Sequence, residues 1–430
     1  MEKATTFTPI NAGQIIEVIS STLRLIDERL LDHGERVAYI VYEMIQQGHL
    51  QDKIELDKAV LLAIFHDIGA YKTEEMDHMF QFESTNVWEH SIYGYLFIKH
   101  MTPLKSYAEG VLYHHLNHEY LRSIDTQYQE YAAILHVADR VDVLYEQTHS
   151  KEFFERLILA KGEKLSPQYV DLFFETLEHG PLEANLSSGK WKQILREQIS
   201  QMNIAESELT DYLKMLVYSI DFRSEHTVTH TINTTAISVE LAKRLGLSAE
   251  EIDTIYLGAL LHDLGKIAIP IEILEFAGKL TDQEMDIMRT HVKITEQIIK
   301  GVVPETIAHI SIRHHEKLDG SGYPYGLCES DLTVPEQIVA VADIVSALTS
   351  RRSYKEEFPK EKTLHIIKEL SDGGKLSKRV CQMLVEDYDG IMNNTDMSRD
   401  PIIQMYQEMS VEFKDMLEYA KKWSNRSGKS

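Results

Sequence analysis

Two cysteines, Cys328 and Cys381, are all that 430 residues contain. No disulfide framework can be built from so few, and a thiol-poor chain suits a reducing compartment, so the sequence predicts a cytoplasmic protein. Proline is also scarce, at ten residues. Alternating apolar–polar runs rich in β-branched residues are hard to find, which argues against any extensive sheet. The longest apolar runs, such as Ala59–Phe65, are far shorter than the roughly 20 residues needed to cross a bilayer. The N-terminus lacks a basic flank followed by an apolar core, so no signal peptide and no membrane partner are expected. Positive charge is the last deficit: 44 Lys and Arg face 68 Asp and Glu, for a formal charge of −24. A duplex nucleic-acid partner would call for a basic face, so none is expected. An acidic surface also repels phosphates, and any phosphate site must therefore carry its own cations.

What is present is helical. Apolar residues recur at three- and four-residue spacing almost everywhere; Ile252, Ile255, Tyr256, Ala259 and Leu260 form one such stripe, running straight into His262. The hydrophobic share of 43% and charged share of 26% are those of an ordinary globular chain. Its length suggests two or three domains. The fold class expected is all-α.

The chain also repeats itself. In its first half come His33, His66-Asp67, His90, His114-His115 and Val137-Ala138-Asp139. In its second half, in the same order and at similar spacing, come His230, His262-Asp263, His291, His314-His315 and Val341-Ala342-Asp343. Even the sequel matches: Gly162-Glu163-Lys164-Leu165-Ser166 against Gly373-Gly374-Lys375-Leu376-Ser377. Two domains are therefore predicted, over residues 12–200 and 205–395. Gly180-Pro181 and Ser187-Ser188-Gly189 are the best turn signals between them, and 206–220 reads as a joining helix. Over 400–430 an amphipathic helix after Pro401, carrying Ile402, Met405, Met409, Phe413, Met416 and Leu417, precedes a tail expected to fray. Its apolar face suits packing on a domain or pairing with a partner, either a second copy of the chain or a signalling protein.

The stretch that organises the second half is His314-His315-Glu316-Lys317-Leu318-Asp319-Gly320-Ser321-Gly322-Tyr323-Pro324. Neighbouring helical residues point about 100° apart, so two adjacent imidazoles cannot both face an ordinary core. They can both face a metal cluster. The glycines and proline that follow are turn chemistry, suited to a rigid loop beside it. Imidazole and carboxylate together suit iron, manganese or zinc, and the absence of thiolate ligands makes a structural zinc site unexpected.

Residues 221–387, with His230, Leu260-Leu261-His262-Asp263-Leu264-Gly265-Lys266, His291, the His-His/Gly-Tyr-Pro stretch, Asp343 and Leu348–Tyr354, resemble the HD superfamily of metal-dependent phosphohydrolases. The resemblance is specifically to its HD-GYP branch, best known for hydrolysis of cyclic di-GMP. It implies that His230, His262, Asp263 and Asp343 hold one metal, with Asp263 bridging to a second completed by His291, His314 and His315. A hydroxide between the metals would attack phosphorus. The resemblance also gives Lys266 a phosphate oxygen to bind, one helical turn beyond His262. Arg352 and Lys355 are candidates for a second phosphate or a guanine edge, while Gly322, Tyr323 and Pro324 shape the substrate loop. Iron or manganese is the favoured ion, in two or three copies. The number is open because His226, one turn before His230, stands where three-metal members carry a glutamate. Ser346 is a second departure, since the family usually has an aspartate there; the first half keeps one as Asp142.

The first half has the whole ligand set, His33, His66, Asp67, His90, His114, His115 and Asp139, and so predicts a metal there too. Ala70 stands where Lys266 stands in the second half, however, and no Gly-Tyr-Pro follows His115. The expectation is a metal-binding domain with altered or lost activity. For the chain as a whole the expectation is hydrolysis of cyclic di-GMP to pGpG or GMP. Two rival readings are a phosphohydrolase acting on cyclic GMP-AMP or another nucleotide phosphoester, and a silent module that binds a cyclic dinucleotide or a partner protein.

Overall fold

The computed structural model of the chain describes residues 10–25, 32–72, 88–147, 151–222, 225–276, 278–350 and 357–427. Among them every regular element is a helix, and β pairing is limited to isolated bridges such as Lys161 with Leu165. The fold is all-α, as expected. No helix among the described residues is long and apolar enough to cross a membrane.

The chain forms two compact units. The first gathers residues 27–215 with 408–430, and the second gathers 1–26 with 216–407. This differs from the sequence-based division in three places, the joining helix over 206–220 not being one of them. Helix Ala12–Leu23 packs on helix Asp282–Ile299 and the turn Leu264–Ala268, and Gln14 Nε2 donates to Val302 O at 2.6 Å. It thus belongs to the second unit, because its buried stripe of Ile15, Ile16, Val18 and Ile19 is covered there; order along the chain does not reveal that partner. Gly180-Pro181 and Gly189 separate helices inside the first unit. The passage between units falls within helix Glu206–Asp221. The last helix runs from Tyr388 to Ser427 with Pro401 inside it, so neither a start after Pro401 nor a frayed tail before Ser427 is found.

In the second unit, helix Glu225–Arg244 is flanked by Ala249–Leu261 and Val334–Thr349. Their joint core is Ile237, Leu241, Ile255, Ala259, Ile310, Ile338, Val341 and Val345; each fully buried aliphatic side chain contributes about 1.5–3 kcal/mol. Local sequence sets the ends. Gly246, at φ +75°, takes the left-handed conformation that stops the first of these helices. Ser248 and Glu251 form a capping box that starts the next. That helix ends at Leu261, and the chain turns through His262 and Asp263 into the short 3₁₀ segment Leu264–Ala268.

The turn is held hard against helix Asp282–Ile299. A Cβ on Gly265 would lie 1.9 Å from His291 O, so only glycine lets the two backbones meet. Gly265 N also donates to Thr295 Oγ1 at 2.9 Å. The first unit builds the same junction from helices His33–Gln47, Leu56–Phe65 and Glu89–Met101. There a Cβ on Gly69 would lie 2.1 Å from His90 O. In each unit a glycine thereby fixes the distance between the His-Asp pair and the next histidine.

Candidate metal centre

In the second unit the predicted ligands come from five elements and meet at one point. His230 is on helix Glu225–Arg244, His262 and Asp263 follow Ala249–Leu261, and His291 is on Asp282–Ile299. His314 and His315 lie just beyond helix Glu305–Ile312, past its C-cap at Arg313, and Asp343 is on Val334–Thr349. Asp263 faces both halves of the cluster. Its Oδ2 is 3.5 Å from His230 Nε2 and 3.0 Å from His262 Nε2, while its Oδ1 is 3.5 Å from His291 Nε2. Asp343 spans the other side, 3.0 Å from His230 Nε2 and 3.4 Å from His315 Nδ1. His291 and His314 approach to 3.5 Å through their Nε2 atoms. The ligand atoms of His230, His262 and Asp343 lie within 4.8 Å of one another, and so do those of His291, His314 and His315.

Whether these donors fit metal can be read from their outer hydrogen bonds. His262, His291 and His314 each turn Nδ1 to the carbonyl three residues back, at 2.6 Å. That fixes the tautomer and leaves Nε2 facing the cluster as a lone pair. Among the described residues His262 Nε2 is buried without a well-formed hydrogen bond, although Asp263 Oδ2 lies 3.0 Å away, an arrangement costly for a polar atom unless a cation fills the gap. The electrostatics agree. Burial holds the imidazoles of His291, His314 and His315 below the usual range, His315 at about 3, so they stay neutral and ligand-competent. Burial opposes ionisation of Asp263 too, but His262 and Lys266 outweigh it and hold the carboxyl well below the usual range. Asp343 is held low against burial chiefly by its hydrogen bond with His230. The donor set fits divalent metal.

Lys266 Nζ lies 2.5 Å from Asp263 Oδ2. The Gly-Tyr-Pro segment folds over the cluster, with the Tyr323 ring 4.7 Å from that of His315 and the Tyr323–Pro324 peptide cis. Gly322 packs on backbone, since a Cβ there would lie 2.4 Å from Glu316 Cα. Of the remaining sequence candidates, Arg352 and Lys355 lie outside the described residues, as does the side chain of His226.

Three nearby residues were not singled out from the sequence. The buried Glu316 carboxylate accepts from Tyr325 N at 2.7 Å and Leu327 N at 3.0 Å, and so ties down the Gly-Tyr-Pro loop. Its signal was its place inside the His-His-Glu-Lys run. Glu316→Gln puts an amide donor against one of those N–H groups, with an expected cost of about 1–3 kcal/mol. A lowered Tm and a reduced kcat/KM with unchanged bound metal would bear this out. Lys317 is largely buried, and burial lowers its ammonium against the pull of Asp343, placing a second cation by the cluster. Asp221, at the end of helix Glu206–Asp221, is buried among Thr231, Asp263 and Lys266, and burial raises its carboxyl to about 7. Nothing in its local sequence announced it.

The first unit repeats the geometry. Asp67 Oδ2 faces His33 at 3.6 Å and His66 at 3.3 Å, while Oδ1 faces His90 and His114 at 3.8 Å. Asp139 reaches His33 at 3.4 Å and His115 at 3.6 Å. Among the described residues, His66 Nε2, Asp67 Oδ1, His114 Nε2 and both His115 nitrogens are buried with no hydrogen-bond partner. Burial disfavours the charged His33 ring, yet hydrogen bonds to Asp139 and Asp142 raise it to about 10. Ala70 is buried at the position of Lys266. The nearby cation is instead Arg140, whose Nη2 is 2.7 Å from Asp139 Oδ2.

A helical junction that brings His, His-Asp and a distant Asp together twice is the arrangement of an HD domain, and models of that domain match residues 30–144 and 214–376. The chain belongs to the HD superfamily as a tandem-HD protein, and its second domain is of the HD-GYP phosphodiesterase branch. The 3′3′-cGAMP-specific phosphodiesterase 1 of Vibrio cholerae is 26% identical over 88% of this chain and 92% of its own length. The cyclic di-GMP phosphodiesterase response regulator RpfG of Xanthomonas campestris is 38% identical, covering 43% of this chain and 50% of its own. The crystal structure of the cyclic GMP-AMP-specific phosphodiesterase V-cGAP3 of V. cholerae shares the fold, with a TM-score of 0.56 and 18% identity over 89% of this chain and 98% of that one.

Proposed function

We propose that the second unit hydrolyses a 3′,5′-linked cyclic dinucleotide, cyclic di-GMP in the first instance, to linear pGpG or GMP. The observation that carries the reading is Asp263 standing between two imidazole sets, with Lys266 against it and the Tyr323 loop above. Relatives named for cyclic di-GMP match 43–44% of the chain at 38% identity.

Two divalent ions at such a centre, iron or manganese by choice of ligand, supply a water acidic enough to act at neutral pH and neutralise charge at phosphorus. The rest falls to side chains. His230, His262, Asp263 and Asp343 would hold one ion, and His291, His314 and His315 with Asp263 the other; His226 is the candidate ligand for a third. Lys266 binds a phosphate oxygen of the scissile linkage. Gly322, Tyr323 and Pro324 wall the site, and Arg352 and Lys355 engage the second phosphate or a guanine edge. The first unit, with Ala70 and no Gly-Tyr-Pro, holds metal without hydrolysing and acts as a regulatory domain.

One observation favours a second substrate. The relative that aligns along both units is named for 3′3′-cyclic GMP-AMP. Turnover of cyclic di-GMP, 3′3′-cyclic GMP-AMP and cyclic di-AMP by the metal-loaded chain, with products separated by chromatography, decides between them. Cyclic di-GMP is expected to have the highest kcat/KM. Preference for the mixed dinucleotide reassigns the substrate, and binding without turnover of any of the three makes the chain a silent receptor.

A further inference from the structure

We infer that the first unit's cluster is the tighter, more slowly exchanging metal centre and that the second unit's centre empties first. The inference rests on reading both clusters as metal centres. Each has five imidazoles and two carboxylates in matching places, so a difference in affinity must come from what surrounds them.

Net charge does not supply it. Among the described residues, Asp67, Asp139 and Asp142 of the first set are met by Arg36 and Arg140, and Asp221, Asp263 and Asp343 of the second by Lys266 and Lys317. One negative charge is left over in each group. Three local differences remain, and all point the same way.

The first concerns the ring that opens each set. His33 Nδ1 is 2.7 Å from Asp142 Oδ2, and that carboxylate is itself clamped by Arg36 through Nε at 2.7 Å and Nη2 at 3.0 Å. His230 Nδ1 has instead the Ser346 hydroxyl at 3.0 Å, which donates in turn to His230 O at 3.0 Å. Asn233 stands in place of Arg36 and donates to Ser350 Oγ. A clamped carboxylate orients an imidazole and raises its basicity at the metal-facing nitrogen, and loss of such a partner typically costs 10–100-fold in metal affinity. The second unit has exchanged both members of the pair for neutral ones.

The second difference is where the cation sits. Lys266 is bonded to Asp263, the carboxylate that both halves of the second cluster share, whereas Arg140 is bonded to Asp139 at one side of the first. Among the described residues, a fixed charge competes with metal at the carboxylate facing the most imidazoles only in the second unit, Asp139 facing His33 and His115 alone. The third is access: the His315 side chain is 24% exposed and that of His115 6%. The feature that would admit substrate also admits water and chelator.

The test is metal release from the full chain. Loaded with Mn²⁺, freed of excess and challenged with EDTA, the protein is expected to lose metal in two phases, followed by atomic emission. Asp263→Asn should remove the fast phase and Asp67→Asn the slow one. Ser346→Asp should slow the fast phase about tenfold or more, and Arg36→Asn/Asp142→Ser should quicken the slow phase by a similar factor. If the latter variant proves unfolded by circular dichroism, Ser346→Asp carries the test. A single phase, reversed assignments, or a fast phase indifferent to Ser346→Asp overturns the ordering while leaving both centres standing. A chain that takes up Mn²⁺ at neither cluster overturns the metal-centre reading itself.

Discussion

His262→Ala/Asp263→Ala is expected to abolish cyclic-dinucleotide turnover, while His66→Ala/Asp67→Ala retains it. The first pair takes from the second unit the carboxylate that faces His230, His262 and His291 at 3.0–3.5 Å. With it goes the common ligand of both metal positions. Lewis-acid stabilisation at phosphorus is worth several kcal/mol, and every 1.36 kcal/mol is tenfold in rate, so a fall of about 10³-fold or more in kcat follows. Bound metal should drop in parallel, which separates this outcome from a folding defect with metal retained. The second pair disarms an equivalent cluster that has Ala70 for a lysine and no Gly-Tyr-Pro loop. If turnover vanishes there and persists in the other, hydrolysis belongs to the first unit and the roles proposed above are exchanged.

Much of the centre was legible because its chemistry is written in residue types that a core seldom buries. Five histidines and two aspartates in fixed order, twice over, marked the donor side chains that the fold gathers around Asp263 and Asp67. The all-α fold was legible from periodicity for the same reason that the capping boxes at Ser248 and Thr281 form: both are local. What sequence could not supply depends on distant pairing. Helix Ala12–Leu23 carries an ordinary apolar stripe, and nothing in it says that residues 264–299 cover it. Ser346 reads as a lost aspartate until its hydroxyl is found on His230, with Asn233 in the place of the matching arginine. Arg140 follows Asp139 in the chain, yet only the fold shows its guanidinium turned back onto that carboxylate.

Lys266 should carry the second large effect. Its ammonium lies 2.5 Å from Asp263 Oδ2 and is mostly buried, with 17% of the side chain exposed. When metal takes up the charge of that carboxylate, the same ammonium is left beside the centre with a short reach to a substrate phosphate. A donor aimed at charge that develops in the transition state is typically worth 10²–10³-fold in kcat. Lys266→Met keeps the length of the side chain and removes the charge, so kcat is expected to fall by about that factor. Two opposed consequences separate this role from a merely structural one. Without an ammonium competing for Asp263, Lys266→Met should hold Mn²⁺ at least as tightly as wild type while turning over far more slowly. A variant that loses metal and activity together would instead make Lys266 a brace for the ligand, and the phosphate contact would have to come from elsewhere.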